Sequence, residues 1–128
     1  GVSATLNSEE FAVLLADRSA GDYELSRAGW TVDYNDPAGL MDLWVSGNGN
    51  NDSHYSSEAY DALITASRTE LDLDKRLDLY HQAEAVLAQD MPVIPIYYYT
   101  DSYLFDTTKY DGFYSYLAFP CFVYTTAK

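Results

Sequence analysis

Residues 2–28 read VSATLNSEEFAVLLADRSAGDYELSRA, and the spacing of their apolar side chains changes twice. Val2, Ala4 and Leu6 alternate with polar neighbours, the period of a half-buried strand. Asn7 stands three residues before Glu10, the pattern of a capping box, and Glu9 favours the first turn electrostatically. Phe11, Leu14 and Leu15 then recur at the spacing of one helical face, which predicts a helix over 8–19. Gly21 ends it, because only a residue without Cβ enters the left-handed region cheaply. Tyr23, Leu25 and Arg27 alternate again, predicting a second strand over 22–28. Strand, helix and strand with short links form a βαβ unit with a right-handed crossover, so the sequence predicts an α/β fold.

Beyond this unit, Arg27-Ala-Gly-Trp30-Thr-Val-Asp33-Tyr-Asn-Asp36-Pro37 leaves the carboxyl end of the second predicted strand. In open α/β sheets that end is where ligands settle. The segment gathers a cation, an indole, a carboxylate and an amide, and Gly29 lets a ligand backbone approach. The competing reading makes Trp30 a core residue and Asp33 a turn cap. Asp36 and Pro37 suit the cap and first position of a short helix carrying Leu40, Leu43 and Trp44. Ser46 to His54 is a polar, glycine-rich loop. Its Asn51-Asp52-Ser53 matches a glycosylation triplet, a pattern short enough to arise by chance.

Helices follow over 57–68, with Tyr60, Leu63, Ile64 and Ser67 on one side, and over 74–90, with Leu73, Leu77, Tyr80, Ala83 and Leu87. Asp72 or Asp74 caps the second, and Pro92 stops it. Val93-Ile-Pro-Ile-Tyr-Tyr-Tyr99 reads as a strand whose Pro95 lies at an edge or bend, with Tyr97 and Tyr99 on one face. Extended pieces are expected near 103–105 and 119–125, with loop over 110–116.

Composition excludes several functions. Seven Lys and Arg face twenty Asp and Glu, a formal charge of −13. A chain without clustered cations is a poor partner for nucleic acid and for an anionic membrane surface. No apolar run approaches the ~18–20 residues of a membrane span. The residues after Gly1 do not form a signal peptide. His54 and His81 are too isolated to hold a metal, and no cofactor motif occurs. Cys121 lacks a partner for an internal disulfide, and its apolar neighbours favour a buried, inert thiol. Asp33 and Asp36 do not make a glycosidase pair, since Asp36 is better used as a cap. No nucleophile stands beside a base, so no catalytic residue is expected.

The run Arg27-Ala-Gly-Trp-Thr-Val-Asp-Tyr-Asn-Asp-Pro37 resembles the R-A-G-W-x-x-D-Y-x-x-P segment of bacterial oligopeptide- and dipeptide-binding proteins, the solute receptors of ABC importers. His54-Tyr-Ser, Tyr60-Asp, Leu79-Tyr-His-Gln-Ala-Glu84 and Pro92-Val-Ile-Pro-Ile-Tyr-Tyr-Tyr99 keep the family's order, and the resemblance fades beyond Lys109. It implies the C-terminal part of a two-lobed, periplasmic-binding-protein-like receptor. About residues 1–92 would belong to the ligand lobe and about 93–128 to closing strands and tail. Asp33 would pair with a peptide's α-amino group, Gly29 and Thr31 would offer backbone groups, and Trp30 and Tyr99 would line side-chain pockets. Arg27 and Arg18 would lie near the carboxyl end. The implied partners are a short peptide and the membrane subunits of an ABC transporter. The implied place is outside the cytoplasm, periplasmic or as a cell-surface lipoprotein. The family also includes receptors for sugars, nickel complexes and haem, and the same fold serves as a sensor in cytoplasmic transcriptional regulators. A piece of such a receptor taken alone is expected to leave apolar surface uncovered and to self-associate.

Overall fold

The computed structural model describes residue 1, residues 3–116 and residues 119–128. Among these residues four α-helices come first: α1 (Phe11–Ala20), α2 (Ala38–Met41), α3 (Glu58–Ser67) and α4 (Leu73–Asp90), with a 3₁₀ turn over Asp42–Trp44 after α2. Four short strands follow, β1 (Tyr110–Asp111), β2 (Tyr114–Tyr116), β3 (Phe119–Cys121) and β4 (Thr126–Ala127). They make two antiparallel pairs, β1 with β4 and β2 with β3.

The core lies where α3 and α4 pack together. Tyr60, Ile64, Tyr80 and Ala83 are buried, with Met41, Trp44, Leu63, Val86 and Leu87 packed around them. Burying a large apolar side chain stabilises by about 1.5–3 kcal/mol, so this small cluster anchors the helical region. The predicted faces of α3 and α4 meet here, although Leu73 and Leu77, on the first turns of α4, remain exposed. Tyr60 carries its hydroxyl into this core by donating to the Met41 carbonyl at 2.6 Å. Burial, then the charge of Asp42, push its phenol well above the ordinary value of 10.

Helix ends follow the expected chemistry, with one change. Ser57 caps α3 and Asp72 caps α4, accepting from Asp74 and Lys75. Met91 ends α4 in the left-handed conformation just before Pro92. Gly21, at φ 76°, closes α1. The cap of α1 is Glu10, which accepts from Ala12; Asn7 instead donates to Glu9. That change starts α1 at Phe11, later than the predicted residue 8.

The strand expectations need correction. Residue 2 lies outside the described residues, and residues 3–6 join no ladder. Residues 22–28 contain a bend at Glu24 and Leu25 and also pair with no strand among the described residues, so the βαβ unit is present there only as its helix and extended flanks. Residues 93–99 and 103–105 run without sheet partners as well. A strand is stable only in a ladder with a covered face, and alternation alone supplies neither. Residues 110–116, expected as loop, contain β1 and β2. Of the piece expected over 119–125 only Phe119–Cys121 is strand (β3); a turn at Val123 and Tyr124 follows, and β4 begins beyond it at Thr126. An aromatic cluster holds this region: Phe113 stacks on Phe105 at 4.9 Å and meets Phe122 and Tyr103. Cys121 is half-buried here, less enclosed than its neighbours suggested.

Candidate functional site

The segment after α1 is placed by two anchors. Arg18, on the last turn of α1, pairs with Asp52 of the polar loop, while Tyr23 Oη donates to the Asp52 carbonyl at 2.8 Å. At its far end, Asp36 accepts from the Ala38 N–H at 2.9 Å and caps α2. The same carboxylate takes a two-pronged bond from Arg76 of α4, at 2.7 and 2.8 Å. Arg76 also lies over the Tyr80 ring at 5.2 Å and donates to its hydroxyl. The Arg76 bond, followed by the Ala38 bond, holds the Asp36 carboxyl below its ordinary value.

Between these anchors the predicted residues separate into two groups. Arg27 donates to Tyr99 Oη at 3.1 Å and to Tyr97 Oη at 3.4 Å. Those two rings meet edge to face at 5.1 Å. Gly29 lies beneath Tyr99: a Cβ there would stand 2.6 Å from the phenol oxygen. The Tyr97 bond raises the Arg27 guanidinium further above its ordinary value, and the same bond holds the Tyr97 phenol below its own. Trp30 and Asp33 form the second group. With Tyr34, Ala38, Gly39, Asp42, Leu43, Asn48 and Asn50 they line a cavity of about 180 Å³. Trp30 is 44% exposed and does not belong to the α3–α4 core. The Asp33 carboxylate has no hydrogen-bond or ionic partner among the described residues, so it caps no turn.

Thr31 is exposed and lines neither this cavity nor the larger one described below. Arg18 is not gathered with Arg27; its guanidinium is committed to Asp52. Six of the seven Lys and Arg side chains (Arg18, Arg68, Lys75, Arg76, Lys109 and Lys128) are paired with aspartates. Arg27 is the remaining one, and among the described residues it faces two phenols and no carboxylate.

Sequence reasoning missed Tyr34, Asp42, Asn48 and Asn50 in the cavity wall, and Tyr97 as a partner of Arg27. Tyr97 was legible from its sharing a face with Tyr99; the others are brought in by the loop's path. That loop is built on Asn51, which is buried, donates to the carbonyls of Val45 and Tyr55, and accepts from Ser53. Its amide nitrogen is therefore engaged inside the loop, which removes the glycosylation reading. A larger cavity of about 320 Å³ lies on the loop's other side, lined by Ser19, Asn48, Asp52, His54 and Tyr55 among others. Its polar groups are largely committed: Asp52 to Arg18, Tyr55 to Asp90 and Ser56 to Ser46. No group of three His, Cys, Asp or Glu fit to hold a metal occurs among the described residues.

Comparison with known proteins finds similar chains among bacterial binding proteins. The chain is 36% identical to the periplasmic oligopeptide-binding protein OppA of Salmonella typhimurium over 104 residues, 81% of this chain and 19% of that protein. This chain is homologous to a segment of the bacterial oligopeptide-binding proteins. It is also 39% identical over 98 residues to the probable deoxycholate-binding periplasmic protein YgiS of Escherichia coli, 77% of this chain and 18% of the relative. The crystal structure of Haemophilus influenzae OppA in complex with the peptide RPPGFSPFR superposes with a TM-score of 0.73 at 32% identity, covering 74% of this chain and 18% of that one. The chain thus has the α/β fold of a segment of the periplasmic binding proteins and spans about a fifth of the length of the relatives it matches. No family model matches it.

Proposed function

We propose that the protein carrying this chain captures short peptides outside the cytoplasm as the receptor of an ABC importer, and catalyses no reaction. The observation that carries the reading is the pair of uncompensated charges on one short segment: the free Asp33 carboxylate beside Trp30, and Arg27 facing only tyrosines. A zwitterionic peptide has complementary ends. Asp33 takes the α-ammonium, Trp30 covers the neighbouring side chain, and the exposed backbone of Gly29 and Thr31 is open to the ligand backbone. Arg27 takes a carboxylate, with Tyr99 and Tyr97 as flat walls. Arg18 supports the site through Asp52. The homology to oligopeptide-binding proteins supports this reading, as do the periplasmic relatives for the compartment.

A second reading has one observation in its favour, the relative described as a probable deoxycholate-binding protein. An amphipathic carboxylate would use Arg27 and the aromatic faces and leave Asp33 unused. Titration of the protein carrying this chain separates the two. For a peptide ligand, Asp33→Asn weakens binding by about tenfold or more, the loss of a charge-assisted bond of roughly 1.5–3 kcal/mol. Acetylating the peptide's amino end produces a similar loss in the parent and little further loss in the variant. Equal affinity of parent and Asp33→Asn for peptides removes the peptide reading of Asp33. Deoxycholate binding that Asp33→Asn leaves intact and Arg27→Gln abolishes favours the second reading.

A further inference from the structure

Asn48 stands on the wall between the two cavities and lines both, and the residue after it is Gly49. In an asparagine followed by glycine, the backbone nitrogen of the second residue can attack the side-chain amide carbon of the first and close a five-membered ring. A side chain on the second residue hinders that closure. Gly49 is exposed and presents none, and a Cβ built on it would meet nothing within 4 Å. Its N–H makes no hydrogen bond among the described residues. The Asn48 side chain is folded back over the loop: Oδ1 accepts the Asn50 N–H at 2.8 Å, and Nδ2 donates to the Asp42 carbonyl at 2.9 Å. This Asx turn keeps the amide above its own backbone. A donor on Oδ1 draws electron density from Cγ and stabilises the negative charge that develops on Oδ1 during closure.

We infer that Asn48 is a site of spontaneous modification in the folded chain, converting through a succinimide to aspartate or isoaspartate. The Gly49 nitrogen forms a bond to Asn48 Cγ, and the Cγ–Nδ2 bond breaks. The amide nitrogen leaves as ammonia, carrying the proton given up by Gly49. Water then opens the ring at either carbonyl. Cleavage at Cγ gives aspartate, and cleavage at the main-chain carbon gives isoaspartate. Water is the only co-reactant. The remaining asparagines provide internal controls. Asn7, Asn35, Asn50 and Asn51 precede serine, aspartate, asparagine and aspartate, all with side chains. Asn51 is in addition buried. Conversion at Asn48 removes the donation to the Asp42 carbonyl and adds a negative charge to the wall that Asp33 shares.

The test is a time course on the 128-residue chain at mildly alkaline pH and in denaturant, read by peptide mapping with mass spectrometry and an isoaspartate assay. The expected result is a mass gain of an amide-to-acid conversion at Asn48 ahead of every other asparagine, faster as pH rises. Gly49→Ala, whose added methyl has open space, retains the circular dichroism of the parent and slows the conversion severalfold. Three results overturn the inference. These are an intact Asn48 in the native chain, conversion confined to denaturant, and an unchanged rate in Gly49→Ala.

Discussion

A methyl group at Gly29 would come within 2.6 Å of Tyr99 Oη and 3.0 Å of its ring, closer than van der Waals contact allows. The ring has to swing away, and its bond to Arg27 goes with it. Gly29→Ala is therefore expected to alter the near-ultraviolet circular dichroism of the tyrosines and to weaken peptide binding, while the far-ultraviolet spectrum is unchanged. Tyr99→Phe keeps the ring, loses only the 3.1 Å bond, and is expected to be the milder change. Equal near-ultraviolet spectra for Gly29→Ala and the parent would show that the two residues do not pack together. Under the proposed function, Arg27 acts by contrast with its surroundings. In a chain of net charge −13, an arginine that faces no carboxylate among the described residues remains available to an anionic ligand group.

Among the elements, α3 and α4 carry the fold, and two polar bonds tie α2 to them. Tyr60→Phe removes the donor to the Met41 carbonyl at the edge of the core. The expected cost is about 0.5–1.5 kcal/mol in denaturant unfolding, the net contribution of one hydrogen bond; a change near zero would show that the bond does not hold α2 to α3. The Asp36–Arg76 bridge ties the cap of α2 to α4 and makes a pH prediction. The folded-state pKa of Asp36 lies below its ordinary value of 3.8. Its stabilisation is fully present above that value and is lost as pH falls through the lower folded value. Asp36→Asn is thus expected to lower the neutral-pH melting temperature and to reduce the further loss on acidification below about pH 4. An unchanged acid limb would assign acid sensitivity to other carboxylates.

At the scale of the whole molecule, little apolar surface is enclosed. Ile94, Ile96 and Tyr98 are 66%, 83% and 94% exposed along an extended segment without sheet partners. On α1, Phe11 and Leu15 face solvent. Unpaired extended backbone with apolar side chains promotes self-association, opposed by the charge of −13. The 128-residue chain alone is expected to form oligomers in light scattering at rising concentration and with added salt, which screens the repulsion. It is also expected to bind peptides weakly, because Asp33 and Trp30 keep their contact with water and a high dielectric weakens the ionic attraction. A monomer at all salt concentrations with micromolar peptide affinity would overturn both expectations.

Local chemistry was decided by sequence. The core faces of α3 and α4, the caps at Asp72 and Asp36, and the stop at Gly21 all follow from spacing and from short-range hydrogen bonds, whereas Ser57, read as the first residue of its helix, is the cap of α3. The Arg27–Asp36 segment was legible for the same reason, since its charged and aromatic groups lie together in the chain. Tertiary structure decided whatever depends on a distant partner. Alternation over 22–28 and 93–99 describes a strand only where another strand completes its ladder, and among the described residues neither segment has one. Which arginine is free was equally invisible: Arg18 and Arg27 differ because the 46–56 loop brings Asp52 to one and residues 97–99 bring phenols to the other. An ion pair depends on distances in space, and only the folded loop sets those distances.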